Sequence, residues 1–243
     1  MARQSRHGAP VFLLTRPKAQ AARLADDFRA RFGPDLRIVI SPLIEPIFLA
    51  PDLPQRDWAG VLFTSGNGVE GARRLSMAPG RQAWCVGDAT ARAAAAAGYR
   101  AQSAGGDARD LADLVLRSGA HGPLLHARGD EVSGQLAEIL QSAGIETHEA
   151  IVYRQETVHL SAEARALLAE DGPVIAPVYS PRTARLLSHE VEAIPPTAPL
   201  LVAAISRATA RSLTFAPQHL VVATRPDGDA MLDAVAGLLA TVS

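Results

Sequence analysis

Two stretches of this chain place hydroxyls and small residues directly after a short apolar run. Val61-Leu62-Phe63 leads into Thr64-Ser65-Gly66-Asn67-Gly68, and a helical segment follows with Val69, Ala72 and Leu75 on one face. Val174 to Leu187, VIAPVYSPRTARLL, repeats the plan with Ser180-Pro181 in the turn. A strand that passes through such a turn into a helix leaves unpaired backbone N–H groups at the helix start. Together with the hydroxyls, those groups accept a carboxylate or phosphate. Anion contacts are therefore expected at Thr64, Ser65, Gly66 and Asn67, and at Ser180, Pro181 and Arg182. Each serine is equally an N-cap, its default role, and a cap can still face a ligand. Thr90 and Thr209, the latter preceded by Ser206, stand in matching Ala-Thr-Ala-Arg contexts, with capping again the plain alternative.

Arg16 and Arg128 each end a strand-like run and open a helical one, Arg128 with Gly129 behind it. An arginine there can pair with a carboxylate through two parallel hydrogen bonds, or lie along its helix as a surface residue. Tyr153 sits in the extended run Ile151-Val-Tyr-Arg. Its phenol could donate a proton to a leaving oxygen, although from spacing alone a packing role is the better reading.

Composition sets the bounds. The 243 residues, 48% apolar and 5% aromatic, suffice for one large or two small domains. A net charge of −1 gives no global field toward nucleic acid or a membrane surface. Lys18 is the single lysine, so the positive charge is nearly all arginine. Cys85 is the single cysteine, which leaves neither a disulfide framework nor a thiolate metal site. No run approaches the roughly 20 apolar residues that span a bilayer, and Val11 to Leu14 is too short for a signal peptide. A cytoplasmic monomer is expected. The histidines lack metal-ligand spacing, and the chain has no G-x-G-x-x-G after a strand, no P-loop lysine and no G-x-S-x-G elbow. Neither a metal nor a cofactor is expected.

The elements that must position these residues alternate. Residues 1–9 read as a disordered leader. Strand Val11–Leu14 and helix Lys18–Phe32 follow, stopped by Gly33-Pro34. Residues 37–53 are extended but rich in proline, which confines them to an edge or a linker. Strands Gly60–Thr64, Ala83–Gly87, Arg100–Ala104 and Pro123–Ala127 then alternate with helices Gly68–Leu75, Ala89–Ala97, Ala108–Ser118 and Val132–Ala143. After a second extended stretch, helix Ser161–Glu170 precedes strands Val174–Tyr179, Leu200–Ile205 and His219–Ala223, with helices Arg182–Ser188, Ala208–Phe215 and Asp229–Leu239 interleaved. Such alternation predicts parallel sheets covered on both faces. The Ala176-Pro177 step predicts an irregular or edge-like strand before Ser180.

The strand-end motifs recur in one cyclic order. Phe63-Thr-Ser-Gly, Gly87-Asp-Ala-Thr-Ala-Arg, Gly106-Asp-Ala and Ala127-Arg-Gly are answered by Tyr179-Ser-Pro, Ser206-Arg-Ala-Thr-Ala-Arg, Gly228-Asp-Ala and Thr15-Arg16. A duplication with one copy inserted into the other gives that order. The expected fold is α/β: two similar flavodoxin-like lobes with parallel sheets. Residues 1–36 with 158–243 form lobe one, 54–146 form lobe two, and 37–53 with 147–157 are a two-stranded linker. Strand carboxyl ends are where open α/β sheets carry ligands, so a cleft between the lobes is the expected site.

This ordered set, Phe63-Thr-Ser, Val86-Gly-Asp-Ala-Thr-Ala, Val152-Tyr153, Tyr179-Ser-Pro and Ala204-Ile-Ser-Arg-Ala-Thr-Ala-Arg, resembles the uroporphyrinogen-III synthase family from Val11 to about Leu239. The resemblance implies a hydro-lyase of heme biosynthesis that needs no cofactor. Members take hydroxymethylbilane, a linear tetrapyrrole with eight carboxylates, expel its hydroxyl as water, invert ring D and close the macrocycle. It also implies that Tyr153 assists loss of the hydroxyl. Ala208 and Ser206 depart from relatives, where a second threonine and a glycine are common. The competing readings are a two-lobe binder of a small anionic metabolite and an α/β enzyme acting on a sugar phosphate.

Overall fold

The computed structural model describes residues 8–77, 80–131 and 135–242. Most of the expected leader, residues 1–7, and residues 132–134 of the expected helix Val132–Ala143 lie outside the described residues. In chain order the elements begin β1 (Val11–Leu14), α1 (Lys18–Phe32), β2 (Ile38–Ile40), β3 (Ile44–Phe48), β4 (Gly60–Phe63), α2 (Gly66–Arg74), β5 (Gln82–Cys85) and α3 (Asp88–Ala96). They continue with β6 (Arg100–Ser103), α4 (Ala108–Arg117), β7 (Leu124–Gly129), α5 (Leu136–Ser142), β8 (Thr147–Thr157) and α6 (Ala162–Leu168). The last are β9 (Val174–Val178), α7 (Pro181–Ala193), β10 (Leu200–Ala204), α8 (Arg207–Arg211), β11 (His219–Val222) and α9 (Gly228–Val242).

Unbroken apolar runs such as VFLL and GVLF become strands covered on both faces, and β1 and β4 are buried at every position. The chain divides into two compact units, Met1–Glu45 with Glu156–Ser243, and Pro46–Gln155. Both boundaries fall inside strands, β3 and β8.

The first unit is built on a sheet of order β11-β10-β9-β1-β2, parallel throughout. Successive side chains of a strand face opposite sides. Val11 and Leu13 accordingly pack with Ala164, Leu167, Ala184 and Leu187 of α6 and α7. Phe12 and Leu14 pack with Leu24, Phe28, Met231 and Val235 of α1 and α9. Helix α1 meets that face because Ala21, Leu24, Ala25 and Phe28 recur at helical spacing, and it stops at Gly33, whose φ of +117° suits glycine. Phe12 meets Phe28 edge-on at 5.0 Å. Truncating such a buried ring to alanine costs about 3–5 kcal/mol.

Pro177 corrects the expectation of an edge strand, since β9 lies between β10 and β1 and is buried throughout. The Val174 N–H bonds the Pro199 carbonyl, on the β10 side. By alternation the missing N–H of Pro177 therefore faces β1, where registered pairing covers only Val174 and Ile175. A central strand tolerates proline here because the ladder on that side has already ended.

The second unit's sheet has the order β3-β8-β7-β4-β5-β6. Its β8, β7, β4, β5 and β6 are mutually parallel, with Val69 and Ala72 of α2 on one face and Leu111, Val115 and Leu140 of α4 and α5 on the other. The stretches expected as a two-stranded linker contain β2, β3 and β8. Of these, β3 neighbours β8, and all three are also sheet members: β2 edges the first sheet, β3 edges the second, and β8 pairs with β7 from Thr147 to Tyr153. The apolar run Ile38-Val39-Ile40 and the alternation of Ala150 with Val152 are enough to join a sheet, and Pro46 is tolerated within β3 because that strand is an edge.

Candidate functional site

Each sheet has a point where the chain's connections leave in opposite directions, and open α/β sheets bind ligands outside the strand ends there. In the first unit it lies at the ends of β1 and β9, in the second at the ends of β7 and β4. Of the residues singled out from sequence, Arg16 and Ser180 to Arg182 stand at the first pair of ends, and Thr64 to Asn67, Arg128 and Gly129 at the second. Ser206 and Thr209 instead follow β10, Thr90 follows β5, and Tyr153 lies within β8.

In the second unit, Ser65 is the N-cap of α2 and its Oγ accepts from Gly68 N at 3.1 Å. The same Oγ lies 2.9 Å from the Tyr153 hydroxyl. Ser65 and Tyr153 are 88 residues apart in sequence, and β8 brings them together by pairing beside β7. A bulge at Arg128/Gly129 places Gly129 opposite Tyr153, and Asp130 N bonds the Tyr153 carbonyl. The ring lies against Gly129 so closely that a Cβ there would stand 2.8 Å from Cζ. Gly68 is required for a similar reason: a Cβ would stand 2.5 Å from the Ala127 carbonyl oxygen. Thr64 and Asn67 are half-buried beside Ser65, while Gly66 is exposed with open space around it. Thr90 is buried in the first turn of α3, which Gly87 caps without a side chain.

The sequence points Arg128 at a ligand, but its guanidinium has partners within the unit. Its Nη1 donates to the Gly129 carbonyl at 2.8 Å and its Nη2 to Glu149 at 3.3 Å. Its Nε stands 2.9 Å from Glu149 Oε1 as an ion pair without hydrogen-bond alignment. Glu149 also stands 3.3 Å from Nδ1 of His126, a buried imidazole that burial holds below its ordinary pKa against the pull of Glu149. Sequence spacing did not single out Glu149, although cross-strand partners of a buried histidine and an arginine are where a carboxylate belongs.

In the first unit, Ser180 caps α7, accepting from Thr183 N at 3.1 Å with Pro181 at the first helical position. Its Oγ also meets the Thr183 hydroxyl at 2.9 Å. Ser206 caps the short α8 in the same way, with Thr209 N at 3.2 Å and the Thr209 hydroxyl at 3.0 Å. Thr209 is wholly buried, and Arg182 is half-buried in the first turn of α7. Arg16 lies over the Tyr179 ring, its Cζ 4.1 Å from the centroid, and its Nε and Nη2 donate to Gln20 Oε1 at 3.1 and 2.8 Å. Tyr179 stands where the second unit has Thr64, one residue before the capping serine. That repeat position was the signal that could have marked it.

Among the described residues no group of His, Cys, Asp and Glu could hold a metal ion, and no helix is long and apolar enough to cross a membrane. Chemically, the second unit offers a phenol in a hydroxyl chain beside a capped helix start, suited to proton donation, and the first unit offers capped helix starts and an arginine on an aromatic ring, suited to anions.

Comparison with curated proteins returns no match. Among solved structures, the chain is similar to the uroporphyrinogen-III synthetase of Helicobacter pylori, at 18% identity and a TM-score of 0.62 over 94% of this chain and 99% of that one. It also matches a mutant uroporphyrinogen III synthase of Thermus thermophilus at 14% identity and a TM-score of 0.43, over 94% and 97% of the two chains. At such identities a likeness speaks for the fold, and only the first is close enough in shape to do so. The sequence itself decides the family, because residues 24–233 match the family model described as uroporphyrinogen-III synthase HemD. With that match running through both units, the chain belongs to the uroporphyrinogen-III synthase family and is a lyase of heme biosynthesis.

Proposed function

We propose that Tyr153 supplies the proton with which the substrate's hydroxyl leaves as water in the uroporphyrinogen-III synthase reaction, the activity this chain has by family. The observation that carries this reading is the 2.9 Å contact between the Tyr153 hydroxyl and Ser65 Oγ. Gly68 N donates to Ser65 Oγ, whose own proton can go to the Tyr153 oxygen and leave the phenol proton free for the substrate. Each bond in such a chain polarises the next, which makes the terminal donor stronger. In hydroxymethylbilane the C–O bond breaks as the phenol proton moves to the departing oxygen. The ring nitrogen's electron pair stabilises the cationic carbon left behind, and ring D at the far end of the tetrapyrrole attacks that carbon through its substituted α-position to give a spiro intermediate. The older bond to ring D then breaks and re-forms at its free α-position, whose proton is lost and can return to the Tyr153 oxygen, and the macrocycle closes with ring D inverted.

The substrate's eight carboxylates call for several anion contacts. Arg16, Thr64, Gly66, Asn67, Thr90, Arg128, Gly129, Ser180, Pro181, Arg182, Ser206 and Thr209 are the proposed binding positions, supported by their place at strand ends and first helical turns. Holding the ends of one flexible molecule in register can supply about 7–11 kcal/mol of a barrier in well-oriented cases. No step of this scheme uses a cofactor. A cytoplasmic monomer without nucleic-acid partners belongs to the same proposal, supported by the net charge of −1 and the single, buried Cys85.

Incubation with hydroxymethylbilane, oxidation and separation of the uroporphyrin isomers tests the activity. An excess of isomer III over the spontaneous isomer I is expected, and its absence would overturn the assignment.

A further inference from the structure

A hollow of about 440 Å³ opens on the α1 and α9 side of the first unit's sheet, lined by Arg16, Gln20, Arg23, Asp27, Tyr179 and Asp227 among others. Its charges are not all free. Asp227 accepts from Arg225 Nε at 3.0 Å and from Ala230 N at 2.9 Å, so its carboxylate is committed to a neighbour and to the start of α9. With Asp227 paired to Arg225 outside the lining, Arg16 and Arg23 face Asp27, which leaves one positive charge over. Arg23 is exposed and has no ion pair among the described residues.

Arg16 is held in a defined pose. One edge of its guanidinium is engaged by Gln20, through Nε and Nη2, and one face rests on the Tyr179 ring. An arginine so fixed has lost side-chain freedom before a ligand arrives, and the edge that remains is a fork suited to two oxygens. Stacking over an aromatic face adds attraction to the cation. The Tyr179 hydroxyl is buried and near enough to Arg16 to feel its charge but has no aligned hydrogen bond among the described residues, so the ring is the main contribution of the phenol.

We infer that this hollow is a carboxylate subsite, in which Arg16 and Arg23 take one carboxylate arm of the substrate while Gln20 and Tyr179 act as positioning residues for the Arg16 guanidinium. The inference rests on the reading that the substrate is a polycarboxylate tetrapyrrole. It adds a second arginine and two residues that sequence spacing did not single out.

The test combines steady-state kinetics on hydroxymethylbilane with a fluorescence titration by uroporphyrin III, a stable octacarboxylate. Removal of one charge-assisted contact at a partly exposed site weakens binding about tenfold. Arg16→Gln and Tyr179→Leu should therefore each raise KM and the uroporphyrin Kd about tenfold, with kcat within twofold. The double variant should be no worse than either single one, because Tyr179 acts through Arg16. Tyr179→Phe, which keeps the ring and loses the hydroxyl, should restore parental values. Arg23→Gln and Gln20→Ala, on exposed helix surface, should raise KM roughly threefold and keep the test alive if Tyr179→Leu fails to fold. Additive effects of Arg16→Gln and Tyr179→Leu, failure of Tyr179→Phe to restore binding, or no change in Arg23→Gln would overturn the inference. A parent protein that binds uroporphyrin III but makes no isomer III would strike the functional reading alone.

Discussion

The capped helices after the two central strands share a serine cap but differ three residues past it, and that difference decides what the serine hydroxyl meets. Three residues past the capping serine the first unit has Thr183, whose hydroxyl takes up the Ser180 Oγ within its own turn. The second unit has Gly68 at that position, because α2 lies so near the Ala127 carbonyl that no Cβ fits. With no hydroxyl inside its own turn, Ser65 meets the one on Tyr153. The arginines differ in parallel: Arg128 is committed to Glu149 and to Gly129, whereas Arg16 rests on Tyr179 beside a hollow. On the proposed reading, one copy of the plan turns its strand end toward proton transfer and the other toward holding an anion.

The sharpest way to break this contrast is Tyr153→Phe. A lost proton donor costs about 100-fold in kcat at the lower end of general-acid effects, with KM changed little. Turnover above a third of the parent's would take the phenol out of the chemistry. Gly129→Ala should come next, with roughly a tenfold fall in kcat. The colliding atoms are the free end of the Tyr153 ring, so the ring moves while the fold holds, and an unchanged melting temperature beside reduced turnover is the expected pattern.

A smaller effect sharpens the comparison further. Ser65→Ala and Ser180→Ala each remove an N-cap and should each cost about 1 kcal/mol in denaturant unfolding. Only Ser65→Ala should also lower kcat, because only its hydroxyl touches Tyr153. Equal kinetic losses in the pair would erase the division of labour. The smallest expected effect is alkaline. Burial pushes the Cys85 thiol up to about 12 in the second unit and the Tyr179 phenol up to about 12 in the first. Between the ordinary values and about 12 the unfolded chain releases these protons while the folded chain keeps them, so stability falls as pH rises through that window. Cys85→Ala and Tyr179→Phe should each flatten the decline, read as unfolding midpoint against pH from about 8 to 11.

Much of the architecture could be read directly. Val11–Leu14 and Lys18–Phe32 form with the expected bounds, since an apolar run and a clear helical period are local signals. The permuted order of strand-end motifs also announced two similar sheets. What spacing could not give were relations across the sheet. Nothing near Tyr153 in sequence points to Ser65, and Glu149 gains its meaning only from lying beside His126 and Arg128 on the next strand. Pro177 misled because the proline rule concerns ladders on both sides, and register decides whether a side still needs its hydrogen. Residues 37–53 behave as their prolines require: β2 and β3, the latter containing Pro46, each take an edge position in a sheet.

Pro177 also shapes the rim of the first sheet. With no hydrogen to offer toward Leu13, β9 does not pair with β1 up to the strand tips, which leaves a slit in the hydrogen-bond ladder there. Arg16 and Tyr179 emerge at the two lips of that slit. A substitution such as Pro177→Ala would offer the missing hydrogen and draw the lips together. A more regular sheet would then be a poorer receptor, and the proline is the residue that keeps the seam unstitched.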